Sequence, residues 1–147
     1  MQLNGFWGET LERVTAGDVL RAKKGAPALI SVRSNEKAIK AVELMKIHDI
    51  SQIPVIDAGS VVGNLNEVTL VKLLNDSVDL TEKTVAETMS KPLPQVDEAI
   101  DISEPYRLLL SGHGAVIVTK AGLAHGFLSR IDLVIYWTQN KKVQGEK

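Results

Sequence analysis

Hydrophobic and polar positions along the 147-residue chain form one pattern that occurs twice. The stretches VGNLNEVTLV (62–71) and HGFLSRIDLV (125–134) each contain a Gly, a short apolar run, two polar residues and a second apolar run at helical spacing. We expect each Gly to close a turn, and Asn66 and Ser129 stand where the N-cap of the following helix belongs. Two copies of one pattern indicate two copies of one structural unit.

Further elements repeat in the same order around this pattern. Each copy is predicted to have a leading helix capped by a Thr (Thr15 or Thr84), a short β-branched strand, an amphipathic helix, a strand hairpin and a closing helix. The second amphipathic helix should bury Leu109 and Leu110 and place Pro105 in its first turn. In the two copies these segments are 14–20 and 83–89, 29–32 and 94–96, 34–48 and 101–112, 52–65 and 114–128, and 66–74 and 129–137.

The predicted fold class is α+β, with two β-α-β-β-α repeats packed on their sheets with pseudo-twofold symmetry. Neither copy has enough apolar residues to be stable alone, so the two are expected to share a buried surface. The N-terminal arm, at residues 1–13, contains Phe6 and Trp7. This aromatic pair would either pack back on the repeats or dock on a partner. The predicted boundaries are an N-terminal arm at 1–13, repeats at 14–75 and 84–138, a polar linker at 76–83 and a C-terminal tail at 139–147.

Composition narrows the classes of function. Hydrophobic residues make up 44%, charged residues 24% and the net charge is −1, which is typical of globular proteins and leaves no concentrated basic surface for nucleic acid. The chain has no Cys and no apolar run long enough to span a membrane, so we expect a cytoplasmic protein. His48, His113 and His125 lack metal-ligand spacing, and no nucleophile–base pair can be assigned. We therefore predict that the chain is not an enzyme and holds no metal or cofactor of its own.

The repeated segments resemble the cystathionine-β-synthase (CBS) domain, and their tandem order resembles the CBS domain pair, or Bateman module. This resemblance rests on SQIPVID and VVGNLNEVTLVKLL in the first copy and on GAVIVTKAGLAHGFLSRIDLVIYW in the second. The stretches NGFW, VTAGDVLRAKKG, VGNLNE and YRLLLSGHGAVIV are similar, more narrowly, to the C-terminal regulatory region of bacterial cystathionine β-synthases and cysteine synthases. Those enzymes use pyridoxal phosphate (PLP), so the narrower resemblance implies a PLP-dependent β-synthase as the regulated enzyme.

The resemblance also implies an adenosyl ligand in a cleft between the repeats. A helix N-terminus offers unpaired N–H groups to a phosphate, Ser129 can donate to the same anion, and Asp132 can accept from both ribose hydroxyls. Capping of the helix by Ser129 and Asp132 alone remains the alternative. The implied ligand-binding set is Ser129, Arg130, Asp132, Lys91, Pro92, Leu93, His113, Gly114, Ala115 and Val116.

The first copy departs from this pattern, because Asn66 replaces the Ser or Thr and Thr69 replaces the Asp. A Thr hydroxyl cannot supply the charged acceptor that a diol prefers. A weaker second cleft, formed by Asn66, Thr69, Ile53 and Pro54, is therefore expected to be empty or to take a different ligand.

The function implied by the resemblance is regulatory. The module would sense S-adenosylmethionine, AMP, ADP or ATP and control an attached or partner enzyme, and it would associate as a homodimer, as CBS modules usually do. The competing interpretation is a structural dimerisation module with no bound ligand. Neither nucleic acid nor a membrane is expected as a partner.

Overall fold

The computed structural model describes residues 13–23 and 29–145, with side chains described as far as Gln139. Phe6, Trp7 and almost all of the predicted arm lie outside this range. The chain forms two compact units, which we call the middle unit (residues 27–93) and the terminal unit (residues 1–26 and 94–147). The predicted mixed α+β class is confirmed. In chain order the elements are α1 (Ala16–Arg21), α2 (Ala38–His48), β1 (Gln52–Asp57), β2 (Ser60–Asn66), α3 (Glu67–Asn75), α4 (Val85–Thr88), β3 (Gln95–Asp97), α5 (Ser103–Leu110), β4 (Ala115–Lys120), β5 (Leu123–Ser129) and α6 (Arg130–Gly145).

Each unit is built on an antiparallel hairpin followed by a helix. In the middle unit β1 pairs with β2, and Val32 adds an isolated parallel bridge to Val55. In the terminal unit the strand order is β3-β4-β5, with β3 parallel to β4 and β5 antiparallel to it. The predicted hairpins, at 52–65 and 114–128, are therefore confirmed in both copies.

The two hairpins share their irregularities, which identifies them as structural repeats. The turn of the first is Ala58-Gly59 and the turn of the second is Ala121-Gly122, and all four residues have positive φ. Two adjacent positive φ values are what a two-residue hairpin turn needs to match the twist of its strands. A register shift follows Val55 in β1 and Val118 in β4, again 63 positions apart (118 against 55).

Each unit has its own apolar core, formed where helices cover one face of the hairpin. α2 contributes the predicted small and apolar face through Ala38, Ala41 and Met45. The buried residues of the middle unit are Val32, Ala38, Ala41, Met45, Ile53, Val55, Leu65, Leu70, Leu80 and Val85. Those of the terminal unit are Ala16, Val19, Val96, Ile102, Leu109, Val116, Val118 and Leu128.

The leading helices do not lie in the units that the sequence repeats suggest. α1 is in the terminal unit, where the Gly17 N–H donates to the Glu98 carbonyl at 2.8 Å. α4 is in the middle unit, where the Val85 N–H donates to the Glu36 carbonyl at 2.7 Å. Helices of six and four residues are too short to be stable alone, so each depends on the sheet on which it docks. The spatial units thus differ from the predicted repeats 14–75 and 84–138 by one exchanged helix each.

The repeated glycines have a different role from the one expected. Gly63 and Gly126 lie inside β2 and β5, not in the turns. A Cβ added to Gly126 would lie 2.7 Å from the Leu20 Cδ1, and one added to Gly63 would overlap the Met89 side chain. Each Gly therefore provides room for a large side chain of the leading-helix segment, so the expectation that it closes a turn was wrong.

Several predicted boundaries also change. The strand at 29–32 is reduced to the bridge at Val32, because the chain turns at Ser34, whose N–H and Oγ donate to Asp57 at 2.9 and 2.6 Å. For the same reason α2 begins at Ala38, four residues later than predicted. The predicted linker 76–83 contains Leu80, which is buried in the middle core.

One expectation about the later helices was wrong. Leu110 is 68% exposed, whereas Leu109 is 1% exposed, because adjacent residues of a helix point about 100° apart and only one can face the core. Pro105 lies in the first turn of α5, as predicted. α6 continues to Gly145 through most of the predicted tail 139–147, since no Gly or Pro interrupts it before that residue.

The contact between Gly126 and Leu20 can be tested by a double-mutant cycle. We expect Gly126→Ala to lower the free energy of unfolding by roughly 1–3 kcal/mol through overpacking. In Gly126→Ala/Leu20→Ala the shorter side chain makes room, so the two costs should be less than additive by about 0.5–3 kcal/mol. Urea unfolding measures all three variants. Gly63→Ala combined with Leu20→Ala is the control and should be additive, because Gly63 contacts Met89; additivity in the Gly126 pair would contradict the packing role.

The capping box of α1 predicts a pH dependence. The Thr15 N–H donates to Asp18 Oδ2 at 2.9 Å, and this bond, with the one from Arg21, lowers the pKa of Asp18 from its usual 3.8. A lowered folded-state pKa means that the stabilisation is fully present above the unfolded pKa and is lost as the pH falls through the folded one. Asp18→Asn should therefore destabilise the protein more at pH 7 than at pH 2.5, as measured by urea unfolding. An equal cost at both pH values would contradict this assignment.

Candidate functional site

The β4–β5 pairing brings most of the predicted ligand-binding residues to one edge of the terminal unit. Ala115, the first residue of β4, pairs with Ser129, the last residue of β5. α6 begins at the next residue, so Arg130 and Asp132 lie in its first turn. The residues His113 and Gly114 precede β4 directly and are exposed. Strand register, rather than sequence proximity, thus places these two segments side by side.

Ser129 and Asp132 form a local hydrogen-bonded cap. The Ser129 N–H donates to Asp132 Oδ2 at 2.8 Å, and the Ser129 Oγ donates to the same oxygen at 3.0 Å. This is the half of a capping box in which the acid of the first turn satisfies the backbone of the N-cap residue. Capping, which the sequence left as the alternative reading, is therefore present in this structure.

Lys23 forms an ion pair with Asp132. Its Nζ lies 3.1 Å from Asp132 Oδ2, and the two side chains are only 16% and 13% exposed. The same Nζ donates to the Phe127 carbonyl at 3.0 Å and lies 4.0 Å from the centre of the Phe127 ring. Asp132 Oδ2 therefore accepts two hydrogen bonds and forms an ion pair with Lys23, while Oδ1 has no hydrogen-bond partner among the described residues.

Arg130 points away from Asp132 to the end of α5. Its Nε donates to the Leu109 carbonyl at 3.0 Å, and its Nη2 donates to the His113 carbonyl at 3.2 Å. Leu109 is in the last turn of α5, where carbonyls lack helical partners and a cation is favoured. Arg130 thus fixes the loop that leads into β4, which holds the backbone of His113 close to the start of α6.

The other predicted residues of β4 have buried side chains. Val116 is 0% exposed and belongs to the core of the terminal unit, so it could offer a ligand only its backbone. Ala115 is also buried. Lys91, Pro92 and Leu93 belong to the middle unit, where Lys91 and Pro92 are exposed and Leu93 is half-buried. A role of any of these residues in binding remains a prediction.

At the equivalent place in the first copy, Asn66 stands at the position of Ser129 and Thr69 at the position of Asp132. Asn66 Oδ1 accepts from the Thr69 N–H at 2.9 Å, so Asn66 is the N-cap that was predicted. Pro54 is buried and pairs with Asn64, and Ile53 is fully buried in the middle core. Asn64 is 3% exposed and donates to Gln52 Oε1 at 3.1 Å, while its Oδ1 has no partner among the described residues. The capping side chain at this second location is neutral, and the acid in the first turn of the helix is Glu67.

Sequence reasoning did not find Lys23 or Phe127. Lys23 lies 109 positions before Asp132 and follows a leading helix that the repeat assigned to the other copy. No local spacing signals such a pair, because it exists only through the docking of α1 in the terminal unit. Phe127 lies inside the repeated motif at 125–134, but nothing in that motif indicates that its carbonyl and its ring would contact a lysine from a distant segment.

Two negative findings limit the chemistry of the described residues. Within 13–23 and 29–145, no three His, Cys, Asp or Glu residues are grouped as they would be around a metal ion. No helix of the same ranges is both long and apolar enough to cross a membrane.

The comparisons with known proteins agree with this architecture. Residues 26–76 match the family model of the CBS domain. The crystal structure of a CBS domain is similar with a TM-score of 0.73 at 20% identity, over 86% of this chain and 99% of that one. A protein with CBS domains from Burkholderia ambifaria has a TM-score of 0.70 at 23% identity, over 82% and 91%.

CBSX2, a CBS-pair protein from Arabidopsis thaliana, is similar in its complex with AMP, with a TM-score of 0.70 at 25% identity over 86% of this chain and 98% of that one. Residues 26–76 thus match the CBS domain, and the fold of the chain is similar to that of CBS-pair proteins. The narrower resemblance to the regulatory region of bacterial cystathionine β-synthases remains a prediction.

Proposed function

We propose that this protein is a regulatory module that binds an adenosyl compound at the Ser129–Asp132 end of the terminal unit. The observation that carries the proposal is the largely buried carboxylate of Asp132 beside the N-terminus of α6, with Oδ1 unpartnered among the described residues. A carboxylate accepts from a ribose diol, and a helix N-terminus attracts a phosphate. The AMP complex of CBSX2 supports the choice of ligand class.

The proposed effector is AMP, ADP, ATP or S-adenosylmethionine. Binding would act on an attached or partner enzyme only if the ligand prefers one arrangement of the module over another. A PLP-dependent β-synthase is the partner that the narrower sequence resemblance implies. The chain itself would contribute no catalytic group, and its place in the cytoplasm stays a prediction from the absence of Cys.

A second candidate is a structural dimerisation module that binds no ligand. The two hydrogen bonds and the ion pair that Asp132 Oδ2 already makes favour it, because a satisfied carboxylate gains less from a ligand. Ligand binding distinguishes the two candidates directly.

Thermal unfolding with and without AMP, ADP, ATP or S-adenosylmethionine tests the proposal. A true effector at 100 times its Kd should stabilise the protein by about 2.7 kcal/mol, seen as a raised Tm. Asp132→Asn should abolish this shift, because the amide keeps an acceptor for the Ser129 N–H but loses the charged acceptor for the diol. Thr69→Ala, at the matching position of the first copy, is the control and should keep the shift. If no compound raises the Tm of the wild type, the structural candidate is the correct one.

We also propose that the module is a homodimer. α3 exposes Val68, Val71 and Leu74, and α6 exposes Ile131 and Val134 at the matching positions, all between 56% and 62% exposed. Apolar side chains spaced three residues apart form a stripe on a helix, and a stripe repeated in both copies indicates a surface that is covered by a partner.

Sedimentation or size-exclusion with light scattering tests this dimer. Val71→Glu and Val134→Glu should each shift the protein from dimer to monomer, because a carboxylate cannot be buried unpaired in an apolar interface. Gln95→Glu introduces the same charge at an exposed strand position and should leave the mass unchanged. A wild-type protein that is monomeric at micromolar concentration would contradict the proposal.

A further inference from the structure

The ammonium of Lys23 occupies the space beside Asp132 Oδ2 that a sugar hydroxyl would need. Its Nζ lies 3.1 Å from Asp132 Oδ2 and donates to the Phe127 carbonyl at 3.0 Å. A carboxylate oxygen has two lone pairs, and Oδ2 already accepts from the Ser129 N–H and Oγ as well. A diol that binds both oxygens of Asp132 must therefore take the place of the lysine at Oδ2.

Displacement of this ammonium has a cost that depends on the ligand. In the present structure the charge of Lys23 is compensated by Asp132, by the Phe127 carbonyl and by the face of the Phe127 ring. A half-buried charge that loses its partner is destabilising unless another acceptor replaces it. A neutral nucleoside offers no negative charge, a sulfonium adds a second positive one, and a phosphate supplies the missing acceptor.

The other charges near Asp132 do not change this conclusion. Arg130 is the remaining cation at the start of α6, and its Nε and Nη2 are engaged by the carbonyls of Leu109 and His113. Lys23 is thus the cation in direct contact with Asp132 in the described residues, and the N-terminus of α6 adds a partial positive charge.

We propose that Lys23 determines the charge class of the ligand, so that the site accepts adenosine phosphates and discriminates against adenosine and S-adenosylmethionine. This inference rests on the proposed function, because it concerns the same site. Since hydrogen bonds to charged groups are worth about 1.5–3 kcal/mol, we expect AMP to bind roughly 10–100 times more tightly than adenosine.

Isothermal titration of the full chain with AMP, adenosine and S-adenosylmethionine tests the proposal. In Lys23→Met the adenosine Kd should fall, because the competing ammonium is gone, and the AMP Kd should rise, because the phosphate loses its partner. The ratio of the two Kd values should shrink to within about threefold, as expected when the charge-assisted term is removed. Lys23→Arg should keep the preference for AMP, and Lys120→Met, which removes an exposed charge in the same unit, should bind like the wild type.

The outcomes separate this inference from the function on which it rests. If the wild type binds none of the three compounds, the proposed function fails and the inference falls with it. If AMP and adenosine bind the wild type but Lys23→Met weakens both equally, binding stands and Lys23 is only structural. Tighter binding of S-adenosylmethionine than of AMP to the wild type would also overturn the inference. Should Lys23→Met not fold, Lys23→Gln replaces it, and the wild-type ranking of the three ligands alone still decides.

Discussion

The carboxylate of Asp132 joins three segments of the terminal unit that are distant in sequence. Through Oδ2 it accepts from the end of β5 at Ser129 and lies 3.1 Å from the ammonium of Lys23, which follows α1. Because both side chains are largely buried, separating them would leave a charge without a partner, which costs more than the net gain of forming the pair. This ion pair therefore links the start of α6 to the docked end of α1, together with the hydrogen bond from Lys23 to the Phe127 carbonyl.

That contact is possible only because α1 approaches β5 closely. Leu20 lies where a Cβ of residue 126 would stand, so Gly126 sets how near the helix can come to the strand. Lys23 follows Leu20 by less than one helical turn, and its reach to the Phe127 carbonyl depends on the same approach. A glycine weakens the strand in which it lies. In β5 this loss of stability is offset by the docking of α1, the helix that precedes Lys23.

The sequence repeat was sufficient to predict most of the elements, since hairpins and amphipathic helices follow from local periodicity. The N-caps Thr15, Thr84 and Asn66 were also predictable, because capping depends on residues three positions apart. The exchange of α1 and α4 between units was not, because similarity along the chain says nothing about which sheet a short helix docks on. The candidate site was likewise predictable only in part. Ser129 and Asp132 belong to a local motif, whereas Lys23 reaches them from a distant part of the chain.

The two copies show how one backbone can carry different electrostatics. Hairpin turns, bulges and strand glycines recur at an offset of 63 positions, so the backbone of the motif is preserved. At the start of α3, Asn66 caps the helix with its own amide oxygen, so the capping side chain introduces no charge. In the second copy the cap is an acid on the helix itself, and a buried acid needs a cation such as Lys23. The charge on the capping side chain, rather than the fold around it, therefore distinguishes the two copies, and the proposed selection of a ligand by its charge depends on it.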